Sequence, residues 1–140
     1  MNIDMIKDGY VIDHIKAGNA MKIYNLLNLD ELECQVALIT NAKSKKTGKK
    51  DIIKIGKLID LDLDKLSAID ASLTVNVVKN NKLIEKKKLE LPKEIINIYK
   101  CKNPRCITSI EHDLDQIFLL TNQEENVYRC KYCEAKLENN

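Results

Sequence analysis

Gly9-Tyr-Val-Ile-Asp-His-Ile-Lys-Ala-Gly-Asn-Ala-Met-Lys-Ile-Tyr-Asn-Leu-Leu27 changes period half-way along, and that change decides the fold. Gly9 to Ile15 is rich in β-branched residues and is opened by glycine, which reads as a strand. From Asn19 onward the apolar residues Ala20, Ile23, Tyr24 and Leu27 recur at the spacing of one helix face. Asn19 stands where an N-cap residue belongs.

Working outward, Glu33 to Ile39 reads as a second strand, with Cys34 as a small buried hydrophobe inside it. Thr40 to Lys49 is polar, Lys-rich and carries Thr47-Gly48, so it reads as a connecting loop. Lys50 to Lys57 is a third strand and Asp62 to Asp70 a short helix. Leu73 to Val78 and Lys82 to Leu89 are two further strands joined by Asn80-Asn81, because Asn tolerates the positive φ of a two-residue hairpin turn. The order is β-α-β-β-α-β with one extra hairpin strand. An α+β fold follows: a ferredoxin-like antiparallel sheet with two helices on one face. Leu91-Pro92 ends the last strand, which puts a domain boundary near residue 92 and leaves residues 93–140 as a second, small all-β domain.

At 140 residues, 44% hydrophobic and 31% charged, the chain is too apolar for disorder and long enough for one domain or two small ones. No apolar run exceeds four residues, and the first residues lack an apolar signal core. The expectation is a cytoplasmic protein with no membrane partner. The net charge of +2 is unevenly distributed. Residues 43–58 sum to +6 and residues 79–93 to +4, while the remaining segments are acidic. Of 23 basic residues only Arg105 and Arg129 are arginine. Lysine binds phosphate as a point charge and lacks the fork that reads base edges. One Phe and no Trp leave little for stacking single-stranded bases. In an open sheet the third and last strands could present Lys54 and Lys86 to the same region, where two ammonium groups could hold a polyphosphate. The plainer reading of such strands is charge placed to prevent edge pairing, and for Lys43 to Lys49 it is preferred. Asp13-His14 is open in the same way, since a histidine in a strand is more often structural than a ligand contact.

Four of five cysteines crowd the last forty residues: Cys101, Cys106, Cys130 and Cys133. Cys-x4-Cys followed by Cys-x2-Cys is a pair of knuckles that completes a tetrahedral zinc shell, with tetrahedral iron as the rival metal. Asn103-Pro104 makes the first knuckle a tight turn. Four thiolates leave no open position for water or substrate, so the metal is structural rather than catalytic. A segment this short cannot hold itself together by core burial alone.

Val11-Ile-Asp-His-Ile15, Gly48-Lys-Lys-Asp-Ile-Ile-Lys-Ile55, Leu73-Thr-Val-Asn76, Cys-x4-Cys with Asn103 inside it, and Cys130-Lys-Tyr-Cys-Glu134 occur in order. Together they resemble the regulatory chain of aspartate carbamoyltransferase over nearly the whole length. The resemblance implies a non-catalytic chain of pyrimidine biosynthesis, with a nucleotide-binding allosteric domain over residues 1–92. It implies a zinc domain over residues 93–140 that grips the catalytic chain. Regulatory homodimers would bridge catalytic trimers; CTP is the usual inhibitor, ATP the usual activator, and UTP assists CTP. By the same resemblance Lys54 and Lys86 hold phosphates, with His14 nearby and Lys50 as a further candidate. Asp13 meets the ribose or base side, and Ile6, Ile52 and Thr74 wall the sugar and base. Backbone groups near Ile6 and Leu83 read the base edge, and Asn76 lies at a ribose and triphosphate position. Ile3 and Asp4 help complete the site, where Mg²⁺ bridges paired nucleotides. Asn103, Arg105 and Glu134 fall at or beside contacts with the catalytic chain. Gly56 replaces an acidic residue of the family and Asn81 an aromatic of the base pocket, and both changes bear on base preference.

The alternative is a zinc-ribbon nucleic-acid-binding protein. Near-neutral charge, an acidic cysteine segment and missing aromatics argue against it. An enzyme finds no support in a G-x-S-x-G or P-loop motif, and His112 sits in a polar run that reads as a solvated turn.

Overall fold

The computed structural model describes residues 7–45 and 48–138. The chain divides after Glu90 into two compact units. The first holds strands β1 (Gly9–Lys16), β2 (Val36–Ser44), β3 (Gly48–Ile55), β4 (Thr74–Lys79) and β5 (Lys82–Lys88), with helices α1 (Ala20–Leu26) and α2 (Leu63–Ile69). The strands form one antiparallel sheet in the order β2-β3-β1-β4-β5. The first four strands have the ferredoxin-like arrangement, and β5 extends the sheet beside β4.

Both helices pack against one face. Ile12, Ile15, Ile53, Ile55 and Val75 from the sheet close on Ala20, Ile23 and Leu66 from the helices, all fully buried. Withdrawing each Ile or Leu from water contributes about 1.5–3 kcal/mol. β1 is central and must start close against its neighbour: a Cβ on Gly9, at φ +155°, would sit 1.9 Å from the Ile55 carbonyl oxygen. Asn80 and Asn81 both have positive φ, 52° and 64°, and turn β4 into β5 as their chemistry requires.

Three irregularities break the simple alternation of faces. Between the pairs Ile12↔Ile53 and Ile15↔Asp51, both Asp13 and His14 stand opposite Ile52, with His14 at φ +58°. Between Ile39↔Ile52 and Ala42↔Lys50, Thr40 and Asn41 stand opposite Asp51. Between Val77↔Glu85 and Val78↔Leu83, β5 carries the extra residue Ile84.

Local details differ from the sequence reading. Thr40 to Ser44 belongs to β2 and pairs with the start of β3, so the Lys-rich segment is largely the two arms of a hairpin. Its polar side chains sit on an edge strand, where backbone pairing needs no apolar face. Cys34 lies in a bend before β2, half-buried against the core. Asn19 occupies the N-cap of α1, yet its side chain makes no capping bond. The Asp51 carboxylate accepts from the Ala20 N–H instead, at 3.2 Å.

The second unit is a three-stranded antiparallel sheet of β6 (Glu94–Ile96), β7 (Ile117–Asn122) and β8 (Val127–Cys130), with β7 in the middle. Ile95, Phe118 and Tyr128 are its main buried side chains beside the cysteines. The Tyr128 hydroxyl donates to the Pro92 carbonyl at 2.6 Å. Among the described residues no helix is long and apolar enough to cross a membrane.

Candidate functional site

The face of the first sheet turned away from the helices carries the polar side chains. Directly paired residues share a face, and Ala37↔Lys54, Lys54↔Val11, Val11↔Asn76 and Asn76↔Lys86 make one row across five strands. The next row runs through Ile52, Asp13 with His14, Thr74 and Lys88. The irregularity at His14 keeps it beside Asp13, and the one at Ile84 brings Leu83 to the face of Lys86. Regular alternation would have sent each to the opposite side. Lys54 is nine-tenths buried. The Asn76 Oδ1 is buried without a hydrogen-bond partner among the described residues, the state of an acceptor that awaits a donor.

At one end of this face lies a cleft of about 1110 Å³, lined by His14, Lys16, Lys49, Lys50, Lys86 and Lys88 along with Thr74 and Ser72. His14 Nδ1 and Thr74 Oγ1 are 3.1 Å apart. Lys50 Nζ lies 3.0 Å from Asp13 Oδ1, and the same oxygen accepts from the His14 N–H at 2.6 Å. Burial raises the Asp13 carboxyl, but the Lys50 bond and the His14 N–H outweigh it and hold it below the usual carboxylate range. The pair's contribution is therefore fully present at neutral pH and is lost only as pH falls through that lowered value.

Two buried carboxylates fix the turns around the cleft. Asp51 accepts from the backbone N–H groups of Gly18, Ala20 and Asn41 at 2.9, 3.2 and 3.1 Å. Asp70 accepts from Lys16 N–H at 2.7 Å, from Ser72 N–H at 3.0 Å, and from the Ser72 hydroxyl. The sequence reading missed both. Asp51 lies between Lys50 and Ile52 in an apolar-rich strand, and an acidic residue on the core face there is the signal that was available.

In the second unit the Sγ atoms of Cys101, Cys106, Cys130 and Cys133 all lie within 4.8 Å of one another. Cys101 and Cys133 are separated by 3.6 Å, and Cys106 and Cys130 by 3.7 Å. Four sulfurs each 2.3 Å from a tetrahedral zinc lie about 3.8 Å apart, so the cluster fits a metal. A disulfide would bring two sulfurs to about 2.05 Å, and all five thiols are free. Burial pushes the Cys101 thiol up to about 12. At Cys133 burial also raises the thiol, but the Ala135 N–H and the Asn103 side chain prevail and bring it down to about 7. The Thr108 hydroxyl donates to Cys106 Sγ at 3.1 Å, and Gln116 Oε1 accepts from the Cys101 N–H at 2.9 Å. Such outer bonds orient ligands for a metal.

Two family models match the chain: the allosteric domain of the aspartate carbamoyltransferase regulatory chain over residues 1–90, and the metal binding domain of the same chain over residues 93–140. The chain belongs to the aspartate carbamoyltransferase regulatory chain family. The regulatory chain of Clostridium botulinum is 52% identical over 134 residues, covering 96% of this chain and 92% of that one. The Clostridium tetani regulatory chain is 52% identical over 135 residues, covering 96% and 94%. That of Bifidobacterium longum is 44% identical over 139 residues, covering 98% and 100%. As a regulatory chain this is a non-catalytic subunit, and its allosteric domain is the one with the lysine-rich open face.

Of the residues expected at a nucleotide, Asp13, His14, Lys50, Ile52, Lys54, Thr74, Asn76 and Lys86 occupy that one face. Only His14, Lys50, Thr74 and Lys86 of these line the cleft itself. Leu83 is on the same face, further from the cleft and 60% exposed. Ile3, Asp4 and Ile6 lie outside the described residues. Gly56 donates its N–H to the Gln35 carbonyl at 2.8 Å, and a Cβ there would meet that oxygen at 3.1 Å. Asn81 donates its N–H to the Lys7 carbonyl at 2.9 Å.

Proposed function

We propose that this chain is the allosteric subunit of an aspartate carbamoyltransferase in the cytoplasm, binding CTP, ATP and UTP on the open face of its first unit. The observation that carries the reading is the row Lys54, Val11, Asn76, Lys86 leading into the lysine-lined cleft. Lys54 and Lys86 share that row with Asn76, whose Oδ1 is buried without a partner among the described residues, a set suited to phosphate oxygens on one side and a sugar hydroxyl on the other. Thr74 and Ile52 wall the sugar and base, backbone near Leu83 reads the base edge, and His14 with Lys50 serves the phosphate end.

In the second unit Cys101, Cys106, Cys130 and Cys133 hold one structural zinc, which fastens the first knuckle to the second. The metal supplies stability and no reactive position. The exposed Ile107 and Ile110 lie one and four residues after Cys106. With Asn103, Arg105 and Glu134 they form the face offered to the catalytic chain. Regulatory homodimers then link catalytic trimers, and a nucleotide acts through its different affinity for two states of the assembly.

Calorimetric titration of the metal-loaded chain with CTP, then ATP, tests the first half of this reading. Saturable binding at one or two nucleotides per chain is expected. A folded chain that binds neither leaves the open face without its assigned ligand and overturns the assignment.

A further inference from the structure

Resting on the metal reading of the cysteine cluster, we propose that the Thr108 hydroxyl is a positioning group for the metal. It takes, at Cys106, the place that a backbone N–H holds at the other three sulfurs. Each time the donor comes from the residue two places on. The Asn103 N–H donates to Cys101 Sγ. The Tyr132 N–H, with that of Cys133, donates to Cys130 Sγ, and the Ala135 N–H to Cys133 Sγ. Thr108 stands two places after Cys106, and here the side chain makes the bond, at 3.1 Å.

The local backbone accounts for the exchange. Cys106 is the N-cap of the 3-10 turn Ile107–Ser109, and its side chain accepts from no N–H of that turn. Its carbonyl accepts from the Ser109 N–H at 2.9 Å, so its sulfur is left to the hydroxyl. Both residues are closed to water, Cys106 at 0% and Thr108 at 2% exposure. Four thiolates around one divalent ion leave an excess of negative charge, and burying that excess is costly unless hydrogen bonds spread it. Outer bonds of this kind carry about 10–100-fold in metal affinity. A backbone donor survives any ordinary substitution. The donor at Cys106 does not, because Val has nearly the shape of Thr and lacks its hydroxyl.

The full chain, stripped of metal, is titrated with Co²⁺ and then with Zn²⁺ against a competing chelator. Thr108→Val is expected to bind either ion about tenfold more weakly. It is also expected to move the sulfur-to-cobalt charge-transfer band to longer wavelength, because a sulfur without its donor gives up electron density more readily. Thr108→Ser keeps the hydroxyl, gives up the methyl group, and is expected to match the wild type in both readings. Either reading unchanged in Thr108→Val overturns the proposal. So does Thr108→Ser as weak as Thr108→Val, since packing of the methyl group is then the cause. If Thr108→Val takes up no metal at all, Thr108→Ser decides: normal loading sustains the role of the hydroxyl, and failed loading ends it. A wild-type chain that takes up neither ion overturns the metal reading itself, and the role of Thr108 with it.

Discussion

Asp51 has no exposed surface. Its two oxygens meet three backbone donors, from Gly18, Ala20 and Asn41. Hydrogen bonds to a charged group are worth about 1.5–3 kcal/mol each, and a donor left buried without a partner costs as much again. Asp51→Ala is expected to destabilise the first unit by about 3–5 kcal/mol, the scale at which a buried charged network is broken. Asp51→Asn is expected to lose most of that too, because its amide nitrogen would face a donor where an acceptor is needed. Urea unfolding midpoints at constant slope measure both; an Asn variant as stable as wild type would show that one oxygen suffices. Lys86 is the opposite kind of residue. It is exposed on an edge strand and bears no fold duty beyond its backbone pairing. Lys86→Ala is expected to keep the melting temperature and metal content while removing the response of the assembled enzyme to nucleotides. A retained CTP response in that variant counts against the open face as the effector site.

At the scale of elements, the strands of the first sheet were legible because β-branched residues and turn signals bracket them, from Gly9 at one end to Asn80-Asn81 at the other. Side-chain alternation was legible only where pairing is regular. At Asp13-His14, Thr40-Asn41 and Ile84 the register slips, and a one-residue slip exchanges the faces of everything beyond it. Nothing in the local composition announces a bulge, so the reading could name Asp13, His14 and Lys86 without knowing that they share a face. The buried carboxylates were illegible for a related reason: their partners are backbone N–H groups distant in sequence. The Asn80-Asn81 turn supplies a test at this scale. Both residues need left-handed backbone, where a β-branched side chain costs about 1–2 kcal/mol. Asn81→Val is expected to lower stability by that amount and to loosen β5, read as faster amide exchange from Lys82 to Lys88. Asn81→Gly is expected to be neutral or stabilising. Equal effects of Val and Gly would mean that the side chain's contacts, rather than its φ, matter there.

For the whole molecule, the two units differ in what holds them. The first has a continuous core of fully buried side chains from five elements. The second has three short strands, and beside Ile95, Phe118 and Tyr128 its buried apolar side chains among the described residues are three cysteines of the Sγ cluster. Structural zinc contributes about 10–16 kcal/mol of apparent free energy to such modules, as much as the whole net stability of a small domain, about 5–15 kcal/mol. Chelation is therefore expected to unfold residues 93–138 and spare residues 7–90. In a two-dimensional amide spectrum, signals from Ile95, Phe118 and Tyr128 should collapse while those from Ile12, Ile53 and Val75 keep their positions. Cys106→Ala should give the same half-folded chain and abolish association with catalytic trimers, because the knuckle bearing Ile107 and Ile110 loses its anchor. Such a chain should still bind nucleotide, since the paired rows of the open face are built from strands of the first unit. Loss of nucleotide binding together with the metal would show that the units fold as one cooperative body, and normal co-purification of the Cys106 variant would remove the metal from the docking surface.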